Sequence, residues 1–398
     1  MSDEDISDVE YTEVDGPEEE EISDKTPEKD TEDVVDAVAV IEKPADETAH
    51  RPDVDDSDEP PKKVQRIDNH TKVVAEHYNE LKEKGLAERS ESRIFFMRNF
   101  NNWIKSVLIN EFLTKIKETS KLGDPLRVLD MCCGKGGDLP KWEKGGITHL
   151  ICTDIAEVSI EQCKERYASM AERHQQQKKF GKMFMAEFFA CDSTLQRLRE
   201  HYKDPSIELN LVSCQFAFHY CFESLKQAEC MIRNAAECLK PGGYFIGTIP
   251  DANDIIRRQR KCNSMSFGND IYRIEFLSDP EGPPLFGAKY NFKLDEVVNC
   301  PEFLVYFPLL EKLARKVGLR LVLKERFEDF FEKHKSTSKG LLELMKAMEP
   351  YPSVNRNTDK EPETSDDYAH VKHFNKGRTC GTLSKSEWEA TTLYLVFA

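Results

Sequence analysis

Apolar residues recur at helical spacing in two segments that follow a long polar start. The first segment covers residues 72–84, and the second, which is longer and rich in Phe, covers residues 93–118. Because apolar positions three and four residues apart share one helix face, this spacing predicts two leading helices.

From residue 127 onward, short apolar runs alternate with helical stretches. The runs cover residues 127–130, 150–154, 184–192, 209–214 and 244–249. This alternation predicts an α/β fold with a doubly wound, mostly parallel sheet covered on both faces. The sequence Lys-Pro-Gly-Gly at 240–243 marks the step from a helix into the fifth strand.

The pattern then continues with a helix over 304–317, a strand over 319–325 and a final strand over 391–397. These additions bring the predicted sheet to seven strands. A polar stretch over 351–380 is too long for a tight connection and is predicted to be mobile.

An insertion over residues 261–300 interrupts the alternation. Its two alternating segments, 271–276 and 287–292, predict a hairpin added to the sheet. We interpret the insertion as a substrate lid.

Charge divides the chain into two parts. The whole sequence has a net charge of -17, but residues 1–60 hold 25 acidic and only 4 basic residues. Such a segment is too polar to offset the entropy of ordering, so residues 1–70 are predicted to be a disordered tail. Residues 61–398 hold 48 acidic and 52 basic residues, which is compatible with a polyanionic substrate but also with an ordinary mixed surface.

The twelve cysteines show no CxxC pair and no Cys/His ligand spacing. We therefore expect reduced thiols and no metal site. No apolar run approaches membrane-spanning length, and the acidic start is unlike a secretory signal, so an intracellular protein without a membrane partner is expected. The basic run at 61–66 indicates a nuclear import signal, although Lys-rich linkers are common.

A glycine-rich turn follows the first predicted strand. The segment 128–138 runs from a strand through Gly134, Gly136 and Gly137 into a helix that begins near Asp138. In dinucleotide folds a pyrophosphate occupies this helix start. Here Asp138 takes the place of the anion, which favours a cofactor with a cationic part.

Two further acids end the next strands. Asp154 is placed to accept hydrogen bonds from ribose hydroxyls, and Asp192 to lie near an adenine amine. A lone glycine turn is weak support, and an Asp after a strand is often only a helix cap. All three features at the ends of consecutive strands favour an S-adenosylmethionine pocket and hence a Rossmann-like class I methyltransferase.

Several long segments closely resemble the eukaryotic mRNA cap guanine-N7 methyltransferases. The likeness runs from about residue 74 to the C-terminus, and its specific segments are residues 92–105, 130–138, 152–156, 213–220, 301–308 and 381–390. The resemblance implies transfer of a methyl group from S-adenosylmethionine to N7 of the guanosine cap on mRNA. It also implies mRNA processing in the nucleus, capped RNA as partner, and association with a small activating subunit and the transcription machinery.

Site residues follow from the same resemblance. It implies that the methyl donor is held by Lys105, the backbone at Cys132, Asp154, Asp192, Gln215 and Tyr220. It implies that the cap is held by Asn101, Asn102, Lys135, Lys141, Arg166, His219, Glu302 and Tyr394. The family usually has Gly where this chain has Cys132.

The residues themselves fit this chemistry in part. Guanine N7 carries no proton at neutral pH, so attack on a sulfonium methyl requires no general base, and none is evident. We expect catalysis by positioning and electrostatics, with Glu302, His219 and Tyr220 closest to the reaction.

Each of these residues has a structural alternative. Glu302 follows Pro301 and could simply be an acid at a helix start, and His219 could be a buried histidine bonded to backbone. Phe286, Tyr290 and Phe292 fit either base stacking or a small core, and the basic cluster 257–261 fits a solvated helix face better than an RNA contact. The alternative function is a catalytically silent RNA-binding scaffold.

Overall fold

The computed structural model describes residues 70–80, 90–177, 182–295, 297–352, 366–372 and 379–398. These residues belong to one compact unit, Arg66–Ala398. Residues 1–69 of the predicted acidic tail lie outside the described residues, whereas His70, its last residue, begins a helix. Most of the polar stretch predicted over 351–380 and the end of the first predicted helix also lie outside the described residues.

Strands are numbered in chain order. They are β1 (Arg127–Met131), β2 (His149–Asp154), β3 (Met185–Ala190), β4 (Leu209–Gln215), β5 (Leu239–Pro250), β6 (Ser266–Gly268), β7 (Tyr272–Phe276), β8 (Lys289–Leu294), β9 (Val298–Phe303), β10 (Lys324–Arg326), β11 (Glu349–Tyr351), β12 (Cys380–Thr382) and β13 (Tyr394–Phe397).

Helices follow the same rule. They are α1 (His70–Glu80), α2 (Phe95–Thr119), α3 (Leu139–Lys144), α4 (Glu157–Gln176), α5 (Leu225–Ala236), α6 (Ala252–Cys262), α7 (Phe307–Lys316), α8 (Phe327–His334), α9 (Lys339–Leu344), α10 (Ala369–Lys372) and α11 (Lys385–Thr391). None of the helices within these ranges is long and apolar enough to cross a membrane.

The central sheet has seven strands in the order β10-β13-β5-β4-β1-β2-β3. The five strands from β5 to β3 run parallel, and β13 is antiparallel to both β5 and β10. This confirms the predicted α/β fold with a mostly parallel seven-stranded sheet. The strand order reverses between the parallel neighbours β1 and β4, because β2 and β3 are added on one side of β1, and β4 and β5 on the other. Open sheets bind their ligands at such a point.

The long helix α2 covers this sheet and buries its apolar stripe. Phe100, Trp103, Ile104 and Phe112 are fully buried, and the helix packs against β4 and β5. Its start is fixed from a distant part of the chain, because Met97 N donates to Glu387 Oε1 of α11 at 3.1 Å. This bond satisfies one of the amide groups that a helix leaves open at its start.

The insertion forms a separate antiparallel sheet, not an extension of the central one. Its order is β6-β7-β8-β9, with β7 and β8 forming the predicted hairpin. The prediction that the hairpin joins the main sheet is therefore wrong. Alternate residues of β7 are buried and exposed, so one face of this small sheet packs on the protein and can form an independent layer.

Four predicted boundaries also shift. The sequence at 240–243 lies within β5 at an irregularity in its pairing with β4, because Leu239 already pairs with Leu209. The helix predicted from 304 begins at Phe307, since β9 continues to Phe303. The strand predicted over 319–325 is limited to β10, at 324–326. The last strand, predicted from 391, begins only at Tyr394, because residue 391 belongs to α11. A capping box of Ser384 and Glu387 stabilises the start of α11.

Candidate active site

The main cavity, of about 590 Å³, lies between the start of α2, the glycine-rich turn, α4, β8, β9 and β13. Eight of the predicted site residues line it: Asn101, Asn102, Lys105, Lys135, Arg166, Tyr220, Glu302 and Tyr394. The topology thus brings together residues that are up to nearly three hundred positions apart in sequence.

A smaller cavity of about 60 Å³ lies next to it, on the side of β1 and β3. Cys132 and Asp192 line it, together with Tyr220 and residues of α1. Tyr220 therefore lines both cavities. A molecule in the smaller cavity and one in the larger cavity would meet at this side chain.

Glu302 is the acidic centre of the larger cavity. It lies on strand β9, so the interpretation as a helix-start acid is wrong. Its side chain is buried, and its Oε2 accepts a hydrogen bond from Tyr290 Oη at 2.8 Å. Its Oε1 lies 3.5 Å from Tyr220 Oη and 3.3 Å from His219 Nε2.

The phenols around Glu302 are kept protonated. Burial raises the pKa values of Tyr220, Tyr290 and Tyr394 well above the ordinary value, and the negative charge of Glu302 raises them further. Tyr290 and Tyr220 therefore act as neutral donors to the buried Glu302 carboxylate. Tyr78 of α1 joins this group, because its Oη lies 3.2 Å from Tyr220 Oη.

Asp138 begins α3 and sits between two lysines. Lys105 Nζ and Lys141 Nζ lie 2.7 and 2.8 Å from Asp138 Oδ1. Burial alone would raise the pKa of this carboxyl, but the two cations lower it well below its usual range. Lys141 also donates to Asn102 Oδ1 at 2.5 Å, so it orients a cavity residue without lining the cavity itself.

Asp154 holds the backbone of the glycine-rich turn. Its two carboxylate oxygens accept from Gly134 N at 2.8 Å and from Ala156 N at 2.9 Å. Burial raises its pKa, and these backbone bonds oppose the rise. Asp154 lines neither cavity, although each oxygen keeps a second lone pair for a ligand.

Gln215 ends β4, is also buried, and lines neither cavity. Its Nε2 donates to Ser213 Oγ at 3.0 Å, whereas its Oε1 has no hydrogen-bond partner within the residues that the structure describes. A buried acceptor without a partner is costly, so a donor group on a bound ligand fits here.

Cys132 has a left-handed backbone conformation, with φ of 57°. The neighbouring Gly134 also has positive φ, at 53°. L-residues avoid this region, so the turn is strained at Cys132 where a glycine would fit without strain. Cys132 lines the smaller cavity together with Cys191 and Asp192.

Several other predicted residues have defined positions. His219 is fully buried behind Glu302 and does not line the cavity. Tyr290 and Phe292 are buried, Phe292 lines the larger cavity, and Phe286 stacks on Phe222. In the basic cluster on α6, Arg257 is exposed and pairs with Asp254 of the same helix, which fits a solvated helix face. Arg258 is mostly buried and bonds Asp254 and Thr392.

Sequence reasoning missed the contribution of α1. Its residues His70, Thr71 and Val74 line the smaller cavity, and Tyr78 lines the larger one. It also missed the role of Tyr290 in holding Glu302. The spacing His70, Val74, Tyr78 places all three on one helix face, a signal that identifies the packed face but not what it covers.

Comparison with known proteins adds an independent finding. A sequence profile described as the mRNA (guanine-N(7))-methyltransferase domain matches residues 62–398. An mRNA cap guanine-N(7) methyltransferase of Drosophila melanogaster is 60% identical over 333 residues, which is 82% of this chain and 76% of that protein. One of Caenorhabditis elegans is 42% identical, covering 81% of this chain and 85% of that protein.

Among solved structures, the CcbJ methyltransferase from Streptomyces caelestis overlaps 62% of this chain and 92% of its own, with 15% identity and a TM-score of 0.39. The fold described above stands on the order and direction of its strands and not on this overlap.

Proposed function

Because the chain belongs to the mRNA (guanine-N(7))-methyltransferase family, we propose that its two cavities hold the two substrates of cap methylation. The protein transfers a methyl group from S-adenosylmethionine to N7 of the guanosine cap of mRNA. The smaller cavity takes the adenine end of the methyl donor, and the larger cavity takes the donor's amino-acid end together with the cap guanosine. This proposal rests on the position of Tyr220, which lines both cavities.

Residues of the chain fit the donor. Gln215 Oε1 is a buried acceptor that has no partner in the described ranges, and Asp192 lines the smaller cavity. Asp154 accepts from the ribose hydroxyls with its remaining lone pairs, while its backbone bonds hold the turn in place. Lys105 lines the larger cavity beside Gly134 and binds the donor's carboxylate.

Glu302 reads the guanine. With Oε2 occupied by Tyr290, the carboxylate still has lone pairs for the N1 and N2 hydrogens that distinguish guanine from adenine. The donor supplies a methyl group on a sulfonium, and N7 attacks it in line. No base is needed, because N7 carries no proton in the reactant.

Electrostatics contributes to the rate in addition to positioning. Methylation places a positive charge on guanine, and the buried Glu302 carboxylate stabilises that charge as it develops. Lys135 and Arg166 line the same cavity and bind the cap triphosphate. Tyr394 packs against Phe216, with ring centroids 5.0 Å apart, and borders the guanine site.

The test uses RNA that differs only in its cap. Radiolabelled methyl donor is offered to the full chain with guanosine-capped, adenosine-capped and uncapped RNA of the same sequence. Methylation of the guanosine-capped RNA alone is the expected result. If the adenosine cap is methylated as fast, the assignment of guanine recognition to Glu302 fails.

Apart from His70, which begins α1 and lines the smaller cavity, the acidic segment 1–70 and the basic run within it have no part in the chemistry. They serve nuclear localisation and recruitment to the transcription machinery, and an activating subunit binds to the methyltransferase domain, residues 71–398. Removal of residues 1–69 then leaves the turnover number on short capped RNA within about twofold. Loss of most of the turnover in the truncated protein would contradict this role.

A further inference from the structure

Three thiols from three separate elements meet directly beneath the glycine-rich turn. Cys133 belongs to the turn, Cys152 to β2 and Cys163 to α4, and their sulphur atoms all lie within 4.8 Å of one another. All three are free cysteines. Cys152 and Cys163 are fully buried, while Cys133 is half-buried.

The cluster is in contact with the turn itself. A Cβ atom added at Gly136 would lie 2.6 Å from Cys163 Sγ, so the third sulphur packs against the glycine backbone. Cys133 directly follows Cys132, and its backbone N donates to Thr153 O of β2 at 3.0 Å. A change in the position of these sulphurs would therefore be passed to the backbone that borders the donor cavity.

A free buried cysteine usually serves only as a small apolar side chain. Three sulphurs that converge on one point are a different arrangement, and within the described ranges they are the one group of three or more potential metal ligands. Since a zinc–sulphur bond is about 2.3 Å, sulphurs that share one ion lie roughly 4 Å apart. The observed spacing thus needs a contraction of less than about 1 Å.

We propose that Cys133, Cys152 and Cys163 form a binding site for one soft, thiophilic cation. Thiolate ligands select zinc and monovalent copper over the hard cations. Three sulphurs satisfy a three-coordinate copper ion, and a zinc ion would add water through the half-exposed side at Cys133. Each ligating thiol releases its proton to solvent on binding.

Occupation of this site also weakens methyl-donor binding, a consequence that rests on the proposed function. When the three sulphur atoms move closer together around the cation, Cys133 is drawn toward β2 and away from the proposed donor cavity. The turn has left-handed residues at Cys132 and Gly134 and tolerates little displacement. The ligands lie in a turn, a strand and a helix, which explains why no short Cys spacing in the sequence marks the site.

The experiment uses the reduced, metal-free full chain. Zinc is titrated against a chromophoric chelator, monovalent copper against a copper chelator, and cobalt serves as a probe whose absorption reports thiolate ligands. We expect one equivalent per chain with thiolate-to-cobalt charge transfer.

Substitutions locate the site. Cys163→Ser and Cys152→Ser should each weaken cation binding by at least about tenfold, and Cys133→Ser, at the half-buried position, gives the same test with less risk to folding. Cys238→Ser is the matched control, because Cys238 is a buried cysteine outside the cluster. Absence of one-equivalent binding, or binding that persists in all three cluster variants, overturns the proposal.

The link to the donor is measured separately, by calorimetric titration of S-adenosylhomocysteine into zinc-loaded and metal-free protein. We expect roughly tenfold weaker binding to the loaded protein. Equal affinity overturns the link. Because the titration measures binding and not methyl transfer, this result is distinct from a failure of the proposed function, which would show as no methylation by the metal-free enzyme.

Discussion

Tyr290 of β8 lies directly opposite Glu302 of β9 in the antiparallel register, and its hydroxyl donates to Glu302 Oε2 at 2.8 Å. Both side chains are buried. Cross-strand partners with adjacent Cβ atoms fix each other's orientation. The small sheet of the insertion therefore holds the carboxylate in place at the wall of the larger cavity.

Tyr290→Phe removes this hydrogen bond and keeps the ring. A hydrogen bond to a charged group contributes about 1.5–3 kcal/mol, so we expect kcat/KM for capped RNA to fall roughly 10- to 100-fold. Donor affinity should remain unchanged. Tyr272→Phe is the matched control, since Tyr272 is buried in the same sheet but bonds Arg258 and lines neither cavity. An equal loss in the control would mean that the sheet, and not Glu302, is affected.

Asp154→Ala and Glu302→Ala should affect different substrates. Asp154→Ala removes the acceptor for Gly134 N and for the proposed ribose contact, and should weaken donor binding by roughly 1–3 kcal/mol while cap affinity changes little. Glu302→Ala should lower both cap affinity and turnover but spare donor binding. Calorimetry with donor, steady-state rates and circular dichroism of each variant provide the comparison. The opposite pattern would mean that the two cavities are assigned the wrong way round.

The central sheet could be predicted from sequence because each parallel strand carries its own local signal. A strand buried on both faces is a short, nearly continuous apolar run, and β1, β2 and β4 all have this pattern. The glycine-rich turn and the acids that follow the strands occur at fixed positions relative to these runs. The glycine-rich turn and these acids could therefore be predicted without knowledge of contacts between residues distant in sequence.

The second sheet and the cover formed by α1 could not be predicted in the same way. Whether β8 pairs with β9 or with the central sheet depends on packing between layers, which leaves no local signal. Pro301 favoured a helix start for the segment that is β9. Likewise, the spacing on α1 indicates a packed face, but only the folded chain shows that Tyr78 contacts Tyr220.

Asp138→Asn should reduce stability in a pH-dependent way. The pKa of Asp138 is lowered by Lys105 and Lys141, so its carboxylate contributes stability at pH values above the ordinary Asp value of about 3.9. That contribution is lost as the pH falls below this value toward the lower pKa of the folded state. The difference in unfolding free energy between the wild type and Asp138→Asn should therefore be largest near neutral pH and shrink in acid.

Urea unfolding at several pH values measures this difference. Glu161→Gln is the control, because its ion pair with Lys164 is exposed and should contribute little at any pH. A difference for Asp138→Asn that stays constant down to strongly acidic pH would contradict the assigned role of the two lysines.

Cys132 gives a test in which the usual order of two substitutions reverses. At an ordinary position, Gly is less stable than Ala by about 0.5–1 kcal/mol, because Gly loses more backbone freedom on folding. At Cys132 φ is 57°, and both Cys and Ala carry the Cβ atom that makes this conformation unfavourable by roughly 1–2 kcal/mol.

Both Cys132→Gly and Cys132→Ala lose the thiol, so that loss cancels between them. We expect Cys132→Gly to be the more stable by up to about 1 kcal/mol in urea unfolding. Cys238 is not among the described residues with positive φ, so Cys238→Ala should be more stable than Cys238→Gly, which is the ordinary order. If Cys132→Ala is as stable as Cys132→Gly, the turn is not strained at this residue.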